Sequence, residues 1–341
     1  MYYFLLIYLI FVFIMYSKQN KVVFLVLIGS GLILFSGLRY NSGIDYLSYK
    51  NLYELECFST SEVLFWLLMI LHKNIFNSYE SFLFLVTLVS ISIKLYLINK
   101  FNPKYLWLSI LIFISVSYIS VDMGLIRNSL AFMFFILSVY YLYIESNKTS
   151  YFYFFIAFLF HHSVIFLIFI YFINKYSKVS RFYLFALIST FLLSIFNIFE
   201  NAIYEFVNLE FIKNHFVYIN WKINHYLIGE DYQSKGLNLY TLRIFLIAII
   251  LYVFHKRLSN NYFLKVYIFG TCILLLMAFN VQFYTRLGLY LSLFEILLIP
   301  QLLYLFKGWT KVIISFVLIV MYVVLFFRTS YIFEIYKVNF L

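Results

Sequence analysis

The sequence predicts an all-α polytopic membrane bundle of about 10–11 transmembrane helices, with one re-entrant segment and one larger external loop. Three observations carry this. Hydrophobic residues make up 65% of the 341-residue chain and charged residues only 11%, where a soluble domain carries roughly 25%. That leaves too little polar surface to clothe a soluble protein of this size, so lipid must be its solvent. Apolar runs near the roughly 20 residues that cross a bilayer recur along the whole chain. Two prolines and ten glycines are too few to punctuate a barrel of short alternating strands.

The runs fall at 2–16, 22–38, 79–98, 105–121, 125–144, 151–173, 182–199, 239–254, 262–279, 283–306 and 312–327. Another, 63–71, is too short to cross alone and reads as a half-helix or an interfacial segment. No soluble-sized gap separates the runs, so residues 1–341 form one membrane domain. The chain is apolar from Tyr2 onward, without a basic leader or a small-residue cleavage site, which reads as a retained first span.

The net charge is +11. No basic cluster lies on an amphipathic element, so the charge reflects cytoplasmic span ends and no nucleic-acid partner is expected. Placing Lys18, Lys21, Lys100, Lys104, Lys148, His255 to Arg257, Lys307 and Lys311 inside puts two loops outside, a short one at 39–61 and a larger one at 200–238. Segment 151–173 resists this scheme. A single crossing would carry Lys175, Lys178 and Arg181 outside, so a segment broken at His161-His162-Ser163 that dips in and returns is preferred. Backbone broken at depth must line protein or a cavity. In the larger loop, 206–221 has helix-like apolar spacing suited to an interface. Cys57 and Cys272 show neither redox nor zinc spacing.

Ionisable residues in or beside spans are costly and therefore functional candidates. Arg39 opens the stretch Arg39-Tyr-Asn-Ser-Gly43-Ile-Asp45-Tyr46-Leu-Ser-Tyr49. Its guanidinium suits phosphate. Asp45 suits a proton or a sugar hydroxyl, and Tyr46 and Tyr49 suit stacking on a sugar ring. The plainer reading is a solvated loop with an arginine anchor. Arg127 starts a helix, where the dipole favours anions; its plainer reading is a local pair with Asp122. His161 and His162 suit a general base or a relay, or simply packed histidines. No third ligand marks a metal site. Arg286 and Tyr290 share a helix face. Glu295 lies about 13 Å further along that helix, too far for Arg286, and so needs another partner or a proton. Arg243 reads as snorkelling to the headgroups. Three arginines on the outer side, Arg39, Arg127 and Arg286, call for an anionic ligand.

These same residues resemble the EpsG/Wzy-type polysaccharide polymerases, the repeat-unit polymerases of O-antigen and capsule pathways. The matching pieces are Arg39 with Gly43-Ile-Asp45-Tyr46-Leu-Ser-Tyr49, Leu125-Ile-Arg127-Asn128-Ser-Leu-Ala131, Ala157-Phe-Leu-Phe-His161-His162-Ser163, and Arg286-Leu-Gly-Leu-Tyr290. Asn128 and Val164 depart from the family's commoner Gln and Ala. The resemblance implies a glycosyltransferase of the bacterial cytoplasmic (inner) membrane that joins polyprenyl-diphosphate-linked oligosaccharide units at the outer face. It implies no cofactor or metal, the lipid bilayer as environment, and a flippase and a chain-length regulator as partners. His162 or Asp45 would accept the acceptor proton, with His161 as the adjacent alternative. Arg39, Arg127 and Arg286 would hold the diphosphate, and Tyr46, Tyr49, Tyr290, Trp221 and Tyr232 would contact the substrate. Two rival readings stand beside it. A flippase for the same lipid-linked sugars is disfavoured because no inverted repeat is visible. A membrane O-acyltransferase would carry an Arg and a His in its first span, and 2–16 has neither.

Overall fold

The structure is a computed structural model that describes residues 2–16, 20–55, 62–102, 104–208, 236–258, 261–332 and 337–338. Trp221, Tyr232, Cys57, the amphipathic stretch 206–221 beyond residue 208, and most of loop 200–238 lie outside them. The described chain is almost wholly helical and divides into two compact units, residues 1–165 with 306–341, and residues 166–305.

In the first unit α1 (Tyr2–Ile14) leads to α2 (Lys21–Gly37), and Arg39–Tyr40 forms a two-residue antiparallel bridge with Lys337–Val338. Then come α3 (Tyr46–Leu55), α4 (Val63–Phe76), α5 (Tyr79–Phe101), α6 (Leu106–Phe113) continuing as a π-helix (Ile114–Met123), α7 (Ile126–Tyr143) and α8 (Asn147–Phe160). The C-terminal helix of the chain, Gly308–Ile332, returns to this unit and packs on the π-helix. Only 11% of its apolar window is buried, as expected of a helix whose solvent is lipid.

The direction of each helix in this unit follows from its contacts. Tyr105 lies beneath both Lys104 and Lys311, with Nζ 5.8 and 5.0 Å from its ring centre. Phe101 packs on Tyr140 and Tyr143, so α5 and α7 end together. A Cβ on Gly37 would meet Phe84, and one on Gly29 would meet Leu95, so α2 runs antiparallel to α5. Ser138 meets Ser150, while Phe134 stacks on Phe160, so α8 runs antiparallel along α7. The basic residues Lys21, Lys100, Lys104, Lys148 and Lys311 therefore gather at one end of the unit, and Arg39, Glu62, Arg127 and His161 at the other.

One expectation stands and one changes. Both ends of α4 touch the ten-residue α3, through Tyr49–Phe65 and through Tyr53–His72, so the run 63–71 does not cross. Segment 151–173 is broken where the sequence places the break: α8 stops at Phe160 and a 3-10 helix (His162–Tyr171) follows. However, α8 first runs the length of α7 and reaches its Arg127 end. It does not turn back part-way.

The second unit holds α9 (Arg181–Ile195) and α10 (Ile198–Asn208), bent by 68° about Asn197, then α11 (Leu239–Val253), α12 (Asn261–Leu276) and α13 (Val281–Leu302). Asn238 caps α11 in a capping box and Asn280 caps α13, each satisfying amides left open at a helix start. α12 packs against α9, α11 and α13.

Of the eleven predicted runs, five give, among the described residues, helices long and apolar enough to cross, or six with the bent pair. The others form shorter helices of 10–17 residues. Hydropathy averages over local breaks at Asn197 and His161 that backbone geometry makes explicit.

Candidate functional site

Four elements of the first unit bring ionisable side chains together at the end opposite Lys21, Lys100, Lys104, Lys148 and Lys311. Glu62 is the centre. It precedes α4 with φ 75°, a left-handed conformation that is strained for a residue with a Cβ. It caps no amide of its own helix. Its buried carboxylate instead accepts from Arg127 Nη1 through Oε2 and from His161 Nδ1 through Oε1. Strain of this kind persists where surrounding contacts over-determine it, commonly at functional sites.

Each partner is placed by a local break. The π-helix ends at Met123, Gly124 and a non-helical Leu125 turn the chain, and Arg127 falls in the first turn of α7. His161 stops α8 in an extended conformation, with its amide donating to Ala157. Arg127 Nε donates to the Tyr49 hydroxyl at 2.6 Å, and that hydroxyl donates to Asp45 Oδ2 at 3.1 Å. The result is one hydrogen-bonded chain, His161–Glu62–Arg127–Tyr49–Asp45.

The electrostatics fit those roles. Burial pushes the Glu62 carboxyl up, but the hydrogen bond and charge of His161 and the charge of Arg127 outweigh it and hold the group below its usual range. Glu62 is thus a carboxylate, and Nδ1 of His161 carries the proton between them. Fixing the proton there makes Nε2 the basic nitrogen, the arrangement in which a carboxylate orients a histidine base. Burial, against the pull of Arg127, raises the Tyr49 phenol, which stays protonated and donates to Asp45.

Arg39 stands in the same unit but is tied into the backbone. Only 2% exposed, it donates through Nη1 to Ser36 O at 2.6 Å and to Asp122 O at 3.2 Å. Gly43 holds the loop above it. With φ 110°, and with a Cβ there coming 2.4 Å from Met123 O, the position admits only glycine. Beneath, Asp122 Oδ1 accepts from Lys94 Nζ and Ser129 Oγ, each at 2.6 Å. Lys94 and Asp122 are both fully shielded. The local Asp122–Arg127 pair that the sequence offered does not form: Asp122 turns inward to Lys94, and Arg127 turns to Glu62.

The remaining predicted residues fall as follows. Tyr46 and Tyr49 are buried, their rings against Tyr79 and Phe65 at 5.3 and 5.4 Å, and Tyr49 lies under the Arg127 guanidinium. His162 is exposed and lies against Phe158. In the second unit, buried Tyr290 and half-buried Arg286 sit on α13, and Arg286 makes no hydrogen bond or ion pair among the described residues. Arg243 does not snorkel. It pairs with buried Glu295 at 2.6 Å, and Tyr267 donates to the same carboxylate at 3.0 Å. This supplies the partner that the sequence left open for Glu295.

Sequence reasoning passed over Glu62 and Lys94. Each carried a signal: an acid immediately before the apolar run 63–71, and a lysine inside the apolar run 79–98. Among the described residues no three metal-ligating side chains gather.

Residues 22–340 match the sequence model of the EpsG family. No curated protein and no solved structure matches the chain.

Proposed function

The chain belongs to the EpsG family and is a multi-pass membrane protein of the polysaccharide-polymerase type, and from that premise we propose that it joins polyprenyl-diphosphate-linked oligosaccharide units into a longer glycan at the outer face of the bacterial cytoplasmic membrane. The single observation that carries this reading is the Glu62-centred chain, which couples a histidine base to an arginine at one end of the first unit. The lysine-rich opposite end favours the cytoplasm by the positive-inside tendency, so the cluster faces outward.

The chemistry is a displacement at the anomeric carbon of the donor sugar. The acceptor hydroxyl oxygen bonds to that carbon, the bond to the diphosphate oxygen breaks, and its electron pair leaves with the polyprenyl diphosphate. The hydroxyl proton passes to His161 Nε2, with Glu62 holding the ring and stabilising the imidazolium. Arg127, part-exposed above Tyr49, offers charge to the departing diphosphate. Arg286 of the second unit is a further cation suited to an anionic group. The donor is already activated, so no outside energy source is needed.

Deletion in the native host followed by a glycan gel tests the proposal. Loss of the ladder with a one-unit band retained is expected. An unchanged ladder, or lipid-linked units trapped at the cytoplasmic face as a flippase would leave them, overturns it.

A further inference from the structure

Three cavities of the first unit join along one face of α2 and α5. One, about 660 Å³, lies between Val22, Val26 and Leu34 of α2 and Phe84, Leu88 and Tyr96 of α5. The next, about 640 Å³, shares Phe84 and Leu88 with it and rises to Arg39, His72, Ser78 and Glu80. The third, about 270 Å³, shares Ser78 and Glu80 with the second and adds Tyr53, Lys73 and Asn77. Shared walls make them one groove. From Glu80 to Asn99, which lines the far end, it follows α5 for about 28 Å, close to the roughly 30 Å depth of the hydrocarbon layer.

The lining changes character along that length. Toward the lysine-rich end it is apolar apart from a few small or amide side chains. It is open to lipid, since Leu85 and Leu88 are 37% and 43% exposed. Gly29 lets α2 approach α5 closely along it, for a Cβ there would come 3.3 Å from Leu95. At the other end Lys50 Nζ binds Glu80 at 3.1 Å, Lys73 Nζ donates to the Tyr53 and Glu54 carbonyls at 3.0 and 3.1 Å, Glu54 joins the lining, and His72 bonds Tyr53 at 3.0 Å. Such a mixed polar mouth over a long apolar trough fits one amphipathic molecule with a long chain and an anionic, hydroxyl-rich head. Tyr53 of the mouth and Tyr49 of the hydrogen-bonded chain lie one turn apart on α3, about 6 Å along the axis.

We infer that this groove seats the isoprenoid chain of a lipid-diphosphate carrier, with its head at the mouth beside Ser78 and Lys73. The inference rests on the polymerase reading for the identity of the lipid, while the site itself follows from the joined cavities. The head then emerges beside α3, one turn from Tyr49, whose hydroxyl accepts from Arg127.

The test uses the full chain in nanodiscs of phosphatidylcholine and a polyprenyl diphosphate with a photoreactive diazirine near the middle of its chain. Cross-linked peptides are mapped by mass spectrometry, with unlabelled polyprenyl diphosphate or phosphatidylglycerol as competitor. Labelling in 22–34 and 84–99, reduced at least tenfold by polyprenyl diphosphate and less than twofold by phosphatidylglycerol, is expected. Leu88→Trp, at an exposed wall position, is expected to reduce it at least fivefold while the protein elutes as the wild type does. Labelling that competes equally with phosphatidylglycerol marks an ordinary lipid seat and overturns the inference. Specific labelling elsewhere overturns the groove and leaves the polymerase reading standing. No specific labelling anywhere removes both.

Discussion

Glu62→Gln probes the site with the least change of shape. The carboxylate accepts two hydrogen bonds from charged or chargeable donors, one from Arg127 and one from His161. The amide keeps one acceptor oxygen and turns an NH2 toward the other partner, so one bond becomes a contact between donors. A hydrogen bond to a charged group contributes about 1.5–3 kcal/mol. Loss of one such bond and weakening of the other removes about 2–5 kcal/mol from the oriented state, roughly thirtyfold to several-thousandfold in rate. That agrees with the roughly 10²–10⁴-fold attributed to a positioned base. The assay converts purified lipid-linked repeat units to a ladder in proteoliposomes containing equal amounts of folded protein. A variant within threefold of wild type refutes Glu62 as the group that orients the base. Stability supplies a second readout. The folded-state carboxyl is held below its unfolded value, so its contribution is full above roughly pH 4.3 and is lost as pH falls through the lower folded value. Thermal midpoints of wild type and Glu62→Gln are therefore expected to differ most near pH 6 and to converge in stronger acid.

Three other outcomes are expected. His161→Ala lowers chain extension at least a hundredfold, while His162→Ala, on an exposed ring, stays within about threefold, as the same ladder assay measures. Lys94→Met and Asp122→Leu each destabilise by about 3–5 kcal/mol because a buried charge is left alone. The double variant recovers much of this, a coupling that thermal unfolding of all four proteins reveals. Ser48→Cys, exposed on α3, reacts with a membrane-impermeant thiol reagent in intact cells or spheroplasts. Its protection until the membrane is broken refutes the outward orientation.

Much of the first unit's architecture was legible along the chain. Apolar runs announce helices because the bilayer leaves the backbone no other partner for its amides. The lysines announce one end of the bundle because they cross reluctantly. Gly43 was visible as a turn, and the break at His161-His162-Ser163 as an interruption. Pairing was not legible. Arg127 had an acid five residues away in Asp122, yet took Glu62, 65 positions distant. Asp122 took Lys94 across two helices, and Glu295 took Arg243 across 52 positions.

The sequence by itself determined that this is a polytopic helical membrane protein, which ends of its first-unit helices are basic, and that a few arginines, a carboxylate and two histidines are its chemical candidates. Composition and periodicity suffice for that, because transfer to lipid is nearly additive over a run. The tertiary structure decided that α8 runs the length of α7 before its break, and that His161 and not His162 meets the carboxylate. It also decided that Glu62, overlooked in the chain, is the centre. A salt bridge in a low-dielectric interior depends on side-chain direction within a few ångströms, and neighbouring histidines about 100° apart on a helix, or on either side of a break, face different surroundings. Only the packing of α3, α4, α7 and α8 sets that direction.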